Sequence, residues 1–160
     1  MSETNSDDLV QDYLAECKEH LATIETDLLL IEQGGEEIDE QLVNRVFRAA
    51  HSIKGGAGFF DLTKIRELAH QTENVLDLVR SRQMVSTPEV VSILLMAFDK
   101  LREMIEHYRE SNESDIAEFV EALTRLTADN LPADRKRSVT DGWRSRPRQP
   151  TPGFKYRRSI

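Results

Sequence analysis

Ala49-Ala50-His51-Ser52-Ile53-Lys54-Gly55-Gly56-Ala57-Gly58-Phe59-Phe60 interrupts a chain that otherwise has the periodicity of amphipathic helix. Just upstream and into this stretch, Leu42, Val46, Ala49, Ala50 and Ile53 form one apolar stripe. If the helix continues, Lys54, Gly55 and Gly58 share a second face with His51. At 3.6 residues per turn they stand at about −60°, +40° and −20° from it. Phe47, one turn earlier, borders that face. Three glycines cost a helix roughly 2.5–3 kcal/mol against alanine. In return they leave the imidazole clear of neighbouring side chains, so a second macromolecule could reach it. The alternative is a glycine-rich turn that ends the helix and leaves His51 an ordinary surface residue.

Working outward, the segments on either side read as all-α. Val10, Leu14, Cys17, Leu21, Ile24, Leu28 and Ile31 alternate spacings of four and three, which predicts a first helix over about 7–32. Asn5 or Ser6 would cap it, and Gln33-Gly34-Gly35 would end it. The helix carrying His51 begins near Asp39. Asp61 is the expected N-cap of a third helix running to Arg82, with Ile65, Leu68, Ala69, Thr72, Val75, Leu76 and Val79 inward. His70, Glu73 and Asp77 lie on another face of that helix. Thr87-Pro88-Glu89 is a start signal for a fourth helix, carried to about Arg109 by Val91, Leu94, Leu95, Phe98, Leu101, Ile105 and Tyr108. A polar connector over 111–114 leads to a fifth, shorter helix over about 115–127, with Ile116, Phe119, Val120, Leu123 and Leu126 inward. Short connections favour an antiparallel four-helix bundle, with the fifth C-terminal helix packed beside it. His20 and His107 are expected as exposed helix residues.

Composition sets outer bounds. A chain of 160 residues with 39% hydrophobic content holds one domain and an appendage. Residues 132–160 carry nine Lys/Arg and two Asp/Glu, net +7, so residues 1–131 stand at −15 within the total of −8. An acidic body argues against nucleic acid as a partner. Pro132, Pro147, Pro150 and Pro152 mark 132–160 as a basic, Pro-rich disordered tail or linker, separate from the helical domain over 1–131. Trp143, Phe154 and Tyr156 among its arginines could contact nucleic acid or an acidic surface; a tag, a cloning scar or a truncated linker is the plainer reading. Cys17 is the single cysteine, so no intrachain disulfide is possible. The polar start, Met1–Asp8, has no signal-peptide character, and the longest apolar run, Ile93–Phe98, is too short to span a bilayer. A cytoplasmic protein is expected.

Ala-Ala-His-Ser-Ile-Lys-Gly-Gly-Ala-Gly resembles the phosphorylation-site motif of histidine phosphotransfer (HPt) domains, above all the N-terminal phosphotransfer domain of CheA-type chemotaxis histidine kinases. His70-Gln71-Thr72-Glu73-Asn74 resembles the family's His-x-x-Glu-Asn on the following helix. The likeness covers about residues 7–127. It implies that His51 accepts the γ-phosphoryl group of ATP from a histidine-kinase catalytic domain, then donates it to an aspartate of a response-regulator receiver domain. The resemblance also implies that Glu73 pairs with His51. In chemical terms, a carboxylate that accepts a hydrogen bond from Nδ1–H fixes that tautomer and leaves Nε2 as nucleophile. Lys54 would offset phosphoryl charge, and His70 would join the hydrogen-bond network. Gly55, Gly56 and Gly58 would be the open binding surface.

The chain has no Walker A or comparable nucleotide loop, so ATP and Mg are expected on partner domains, with no cofactor or metal of its own. On this reading it is a relay and substrate, monomeric as an isolated domain, and either a piece of a CheA-type kinase or a freestanding HPt protein. Asp61 departs from the family pattern, where small or apolar residues are usual. Two rival functions follow from the same residues. His51, His70 and Glu73 could hold zinc or iron, though the glycines would then have no purpose. A purely structural adaptor bundle is the other.

Overall fold

The computed structural model describes residues 2–130, with side chains placed over 7–129; the expected tail over 132–160 lies outside the described residues. Six α-helices and a short 3₁₀ segment follow one another, and no strand occurs among the described residues: α1 (Ser2–Leu21), α2 (Ile24–Gly34), α3 (Glu40–Phe59), α4 (Thr63–Arg80), α5 (Pro88–Glu106), 3₁₀ (Tyr108–Glu113) and α6 (Ala117–Asn130). The first pair together with α3, α4 and α5 forms a four-member bundle. α1 and α2 pack on α3 and α5, α4 closes the ring between α3 and α5, and α6 leans on α4 and α5.

The single first helix expected over 7–32 is instead two helices. The Leu21 carbonyl accepts a hydrogen bond from the Arg102 guanidinium at 2.9 Å, which takes it out of the helical ladder. The chain restarts at Thr23, whose carbonyl accepts from Asp27 N at 2.9 Å. Asp27 is 3% exposed and paired in two bonds with Arg45 of α3, at 2.9 and 3.0 Å. Burial of a lone carboxylate would be costly, so this pair joins α2 firmly to α3. The apolar stripe from Val10 to Ile31 stays buried across the break. Asn5 and Ser6 do not cap α1, since the helix already begins at Ser2.

Other boundaries follow their caps. The Asp39 carboxylate accepts from Gln41 N and Leu42 N, and Thr87 Oγ1 accepts from Val90 N. Val43, not Leu42, takes the inner position in the first turn of α3. Asp61 does not cap α4. It stands at φ +58° just past α3, where Asp61 N reaches Gly58 O (3.4 Å) and Leu62 N reaches Ala57 O (2.9 Å). This is a Schellman ending with aspartate in the place usually held by glycine. α4 ends the same way, two residues before the expected Arg82: Arg82 stands at φ +66° and Gln83 N bonds Leu78 O at 2.8 Å. The expected connector at 111–114 is in part the 3₁₀ turn, with Ser111 buried and its hydroxyl bonded to Tyr108 O.

α3 runs without a break through all three glycines to Phe59, so the turn-ending alternative does not hold. Gly56 faces α1: a Cβ there would overlap the ring of Tyr13, whose hydroxyl donates to Ile53 O at 2.5 Å. Tyr13 also packs against Phe60, ring centroids 5.4 Å apart. Gly56→Ala is therefore expected to cost about 1–3 kcal/mol as the ring is forced aside. A denaturant melt with a midpoint shift and unchanged slope is the measurement.

Candidate functional site

His51 lies in the middle of α3 because its neighbours Ala50 and Ile53 are fully buried and turn it outward, leaving its side chain 63% exposed. Glu73 rises from α4 directly opposite. It is flanked by the buried Thr72 and Val75 and is itself 7% exposed. Its carboxylate is shared. Oε2 meets His51 Nδ1, and Oε1 accepts from Lys54 Nζ at 2.6 Å. An ionised carboxylate can only accept, so Nδ1 carries the proton and Nε2 keeps the in-plane lone pair in the neutral ring. That nitrogen makes no hydrogen bond among the described residues, on a side chain that is 63% exposed.

Burial pushes the Glu73 carboxyl up, but the hydrogen bonds from Lys54 and then His51 outweigh it and hold the group below its ordinary value of 4.5. A depressed folded-state value means the folded protein binds that proton less readily than the unfolded chain. The stabilisation is thus full above the ordinary carboxylate range and lost as pH falls through the folded value. Compared with Glu73→Gln, the parent's thermal stability is expected to fall more steeply with acidification below about pH 4.5. Paired melts across acid pH provide the check.

The surroundings of His51 separate into distinct roles. Gly55 is exposed with open space where a Cβ would stand, and Gly58 is exposed, with the Arg66 side chain 3.3 Å from where its Cβ would stand. Gly56 points into the bundle and does not join that open surface. Phe59, two turns beyond His51, is 75% exposed and its ring meets that of Phe60 nearly at right angles. Lys54 is committed to Glu73 and has further N–H donors available. His70, expected in the network, is exposed and makes no hydrogen bond or ion pair among the described residues. Three residues before Glu73, it is rotated off the buried edge of α4. The set His51, His70 and Glu73 therefore does not assemble, and among the described residues no three His, Cys, Asp or Glu side chains gather as a metal shell. His20 is partly exposed beside Glu16, and His107 is the exposed residue ending α5.

Two contacts at the site go beyond the sequence pattern. The Arg80 guanidinium sits over the Phe47 ring, 3.8 Å from its centroid, and Phe47 in turn lies nearly parallel to the His51 imidazole. Arg80 continues the three- and four-residue spacing of Glu73 and Asp77, which was the available signal.

Comparison with known proteins agrees with this geometry. The family model described as Hpt domain matches residues 8–111. The chain is 38% identical to the chemotaxis protein CheA of Salmonella typhimurium over 112 residues, covering 70% of this chain and 16% of that protein. It is 30% identical to the sensor histidine kinase CheAY of Helicobacter pylori over 139 residues, covering 82% and 17%. The chain thus spans about a sixth of the length of these relatives. Among solved structures, the phosphorylated P1 domain of CheA3 in complex with CheY6 from R. sphaeroides aligns with TM-score 0.67 and 27% identity, over 78% of this chain and 99% of that one. The solution structure of the histidine phosphotransfer domain of CheA aligns with TM-score 0.64 and 25% identity, over 75% and 92%. No helix among the described residues is long and apolar enough to cross a membrane.

Proposed function

We propose, on the premise that this chain belongs to the Hpt domain family, that His51 is its phosphoacceptor and that Glu73 and Lys54 serve it. The observation that carries the reading is the shared carboxylate. One buried acid holds Nδ1 of an exposed imidazole and anchors a lysine beside it. The first partner is the catalytic domain of a CheA-type histidine kinase, which brings ATP and Mg. Nε2 attacks the γ-phosphorus, the N–P bond forms, and the bond to the bridging oxygen breaks as ADP leaves with the electron pair. The ring becomes cationic, and the Glu73 carboxylate offsets that charge while keeping the Nδ1 proton. A free N–H of Lys54 can turn to the phosphoryl oxygens. In the second step, an aspartate oxygen of a receiver domain attacks phosphorus and the N–P electrons return to Nε2. Gly55 keeps the approach beside His51 free of a side chain, and Gly58 adds none of its own next to Arg66.

On this reading residues 1–131 are the phosphotransfer unit, and the protein works where its kinase and receiver partners do. The test is incubation with the kinase domain of a CheA-type kinase and γ-labelled ATP, followed by addition of a receiver domain. Label stable to base and labile to acid should appear on the chain, then pass to the receiver. A chain that stays unlabelled beside a kinase that labels its own phosphotransfer domain would sink the proposal.

A further inference from the structure

A hydrogen bond at Nδ1 anchors one atom of the imidazole and leaves the tilt of its plane open, since the second side-chain torsion of histidine is broad. The lone pair of Nε2 lies in that plane, so the tilt decides where it points. Phe47, one turn earlier on α3, supplies the missing restraint. Its ring lies 11° from parallel to the imidazole, with centroids 6.1 Å apart, an offset stack. Phe47 is itself only half-buried, and it is held from α4 by Arg80, whose guanidinium carbon stands 3.8 Å from the ring centroid. Arg80 is steadied by Asp77 at 2.7 Å. Two props thus reach the His51 turn from one helix: Glu73 at the nitrogen and, two turns later, Arg80 through Phe47.

We infer that Phe47 and Arg80 are positioning residues that set the plane of the His51 ring, so that Nε2 is aimed for in-line attack on phosphorus held by a partner protein. The inference rests on His51 being the phosphoacceptor. Phe47 has no polar atom to offer Nε2, and Arg80 is engaged by Asp77 and the Phe47 ring. Their effect therefore belongs to reactions in which the donor is rigidly held, and it disappears for a small donor that can align itself to any ring.

The full 160-residue chain and its Phe47→Leu, Arg80→Gln and Arg80→Lys variants are phosphorylated in two ways. One uses the kinase domain of a CheA-type kinase with labelled ATP. The other uses phosphoramidate, where Nε2 forms the N–P bond as the zwitterion releases ammonia. With the kinase, kcat should fall about tenfold for Phe47→Leu and about threefold for Arg80→Gln, with KM within about twofold, because a small misplacement of a reacting atom is costly. Arg80→Lys, which keeps a cation over the ring, should recover most of the loss. Phosphoramidate labelling should stay within about twofold in every variant. Unchanged kcat in both Phe47→Leu and Arg80→Gln overturns the inference. So does a raised KM at constant kcat, which would make these residues docking contacts. So does a matching loss with phosphoramidate, which would mean altered intrinsic reactivity. If Phe47→Leu does not melt cooperatively, the two Arg80 variants decide alone. Label persisting in His51→Gln would instead remove the phosphoacceptor reading, and this inference with it.

Discussion

His51→Gln is expected to abolish kinase-dependent labelling, a fall of at least about a thousandfold, because glutamine has no nucleophilic nitrogen. The fold should survive. The His51 side chain is 63% exposed and the neighbours that fix α3, Ala50 and Ile53, are untouched. A glutamine amide can still donate to the Glu73 carboxylate, so the change in stability should stay within about 0.5 kcal/mol. Loss of label with an unchanged melt separates a chemical role from a packing role. A structural adaptor would keep its label at some other residue, or never have had one.

The second large effect is at Glu73, where two substitutions divide its work. Glu73→Ala removes both the acceptor for Nδ1 and the charge that faces the cationic ring, and about a hundredfold loss of phosphorylation rate is expected. Glu73→Gln keeps an amide oxygen able to accept from Nδ1 but has no charge. It should lie between, at about a tenfold loss. Imidazole nitrogen NMR tells the tautomers apart directly. Two variants that lose rate equally would mean that tautomer control contributes little and charge nearly everything. In both variants Lys54 loses the acceptor it holds at 2.6 Å or keeps only a neutral one, so its ammonium should become more mobile.

Local chemistry is legible in the sequence; long-range bonds are not. Asp39 and Thr87-Pro88 announce their helices because a cap is made within two or three residues. Periodicity puts His51 and Glu73 each on a polar face of its own helix, and the family likeness implies their pairing. The break between α1 and α2 was hidden because its cause is Arg102, which lies 81 positions from Leu21, and because the apolar stripe keeps its phase across it. Asp61 is ambiguous for a different reason. Aspartate suits both an N-cap and a left-handed residue after a helix, and only the backbone angle decides. His70 shares a helix with Glu73 yet turns outward, a rotation of about 60° that spacing alone does not weigh. Gly56 looked like part of the open face because its neighbour Gly55 is; the ring that fills its place comes from Tyr13, on another helix.

The meeting of Tyr13 with Gly56 acts as a detent. With a ring seated in a gap one atom deep and its hydroxyl latched to the Ile53 carbonyl, α1 can neither slide along α3 nor roll on it without lifting out first. Ile53 is only two residues past His51, so the turn that carries the imidazole is braced from its far side by α1. Loosening that latch would reach the imidazole as wobble of its helical turn, with no change in any residue that faces the partner.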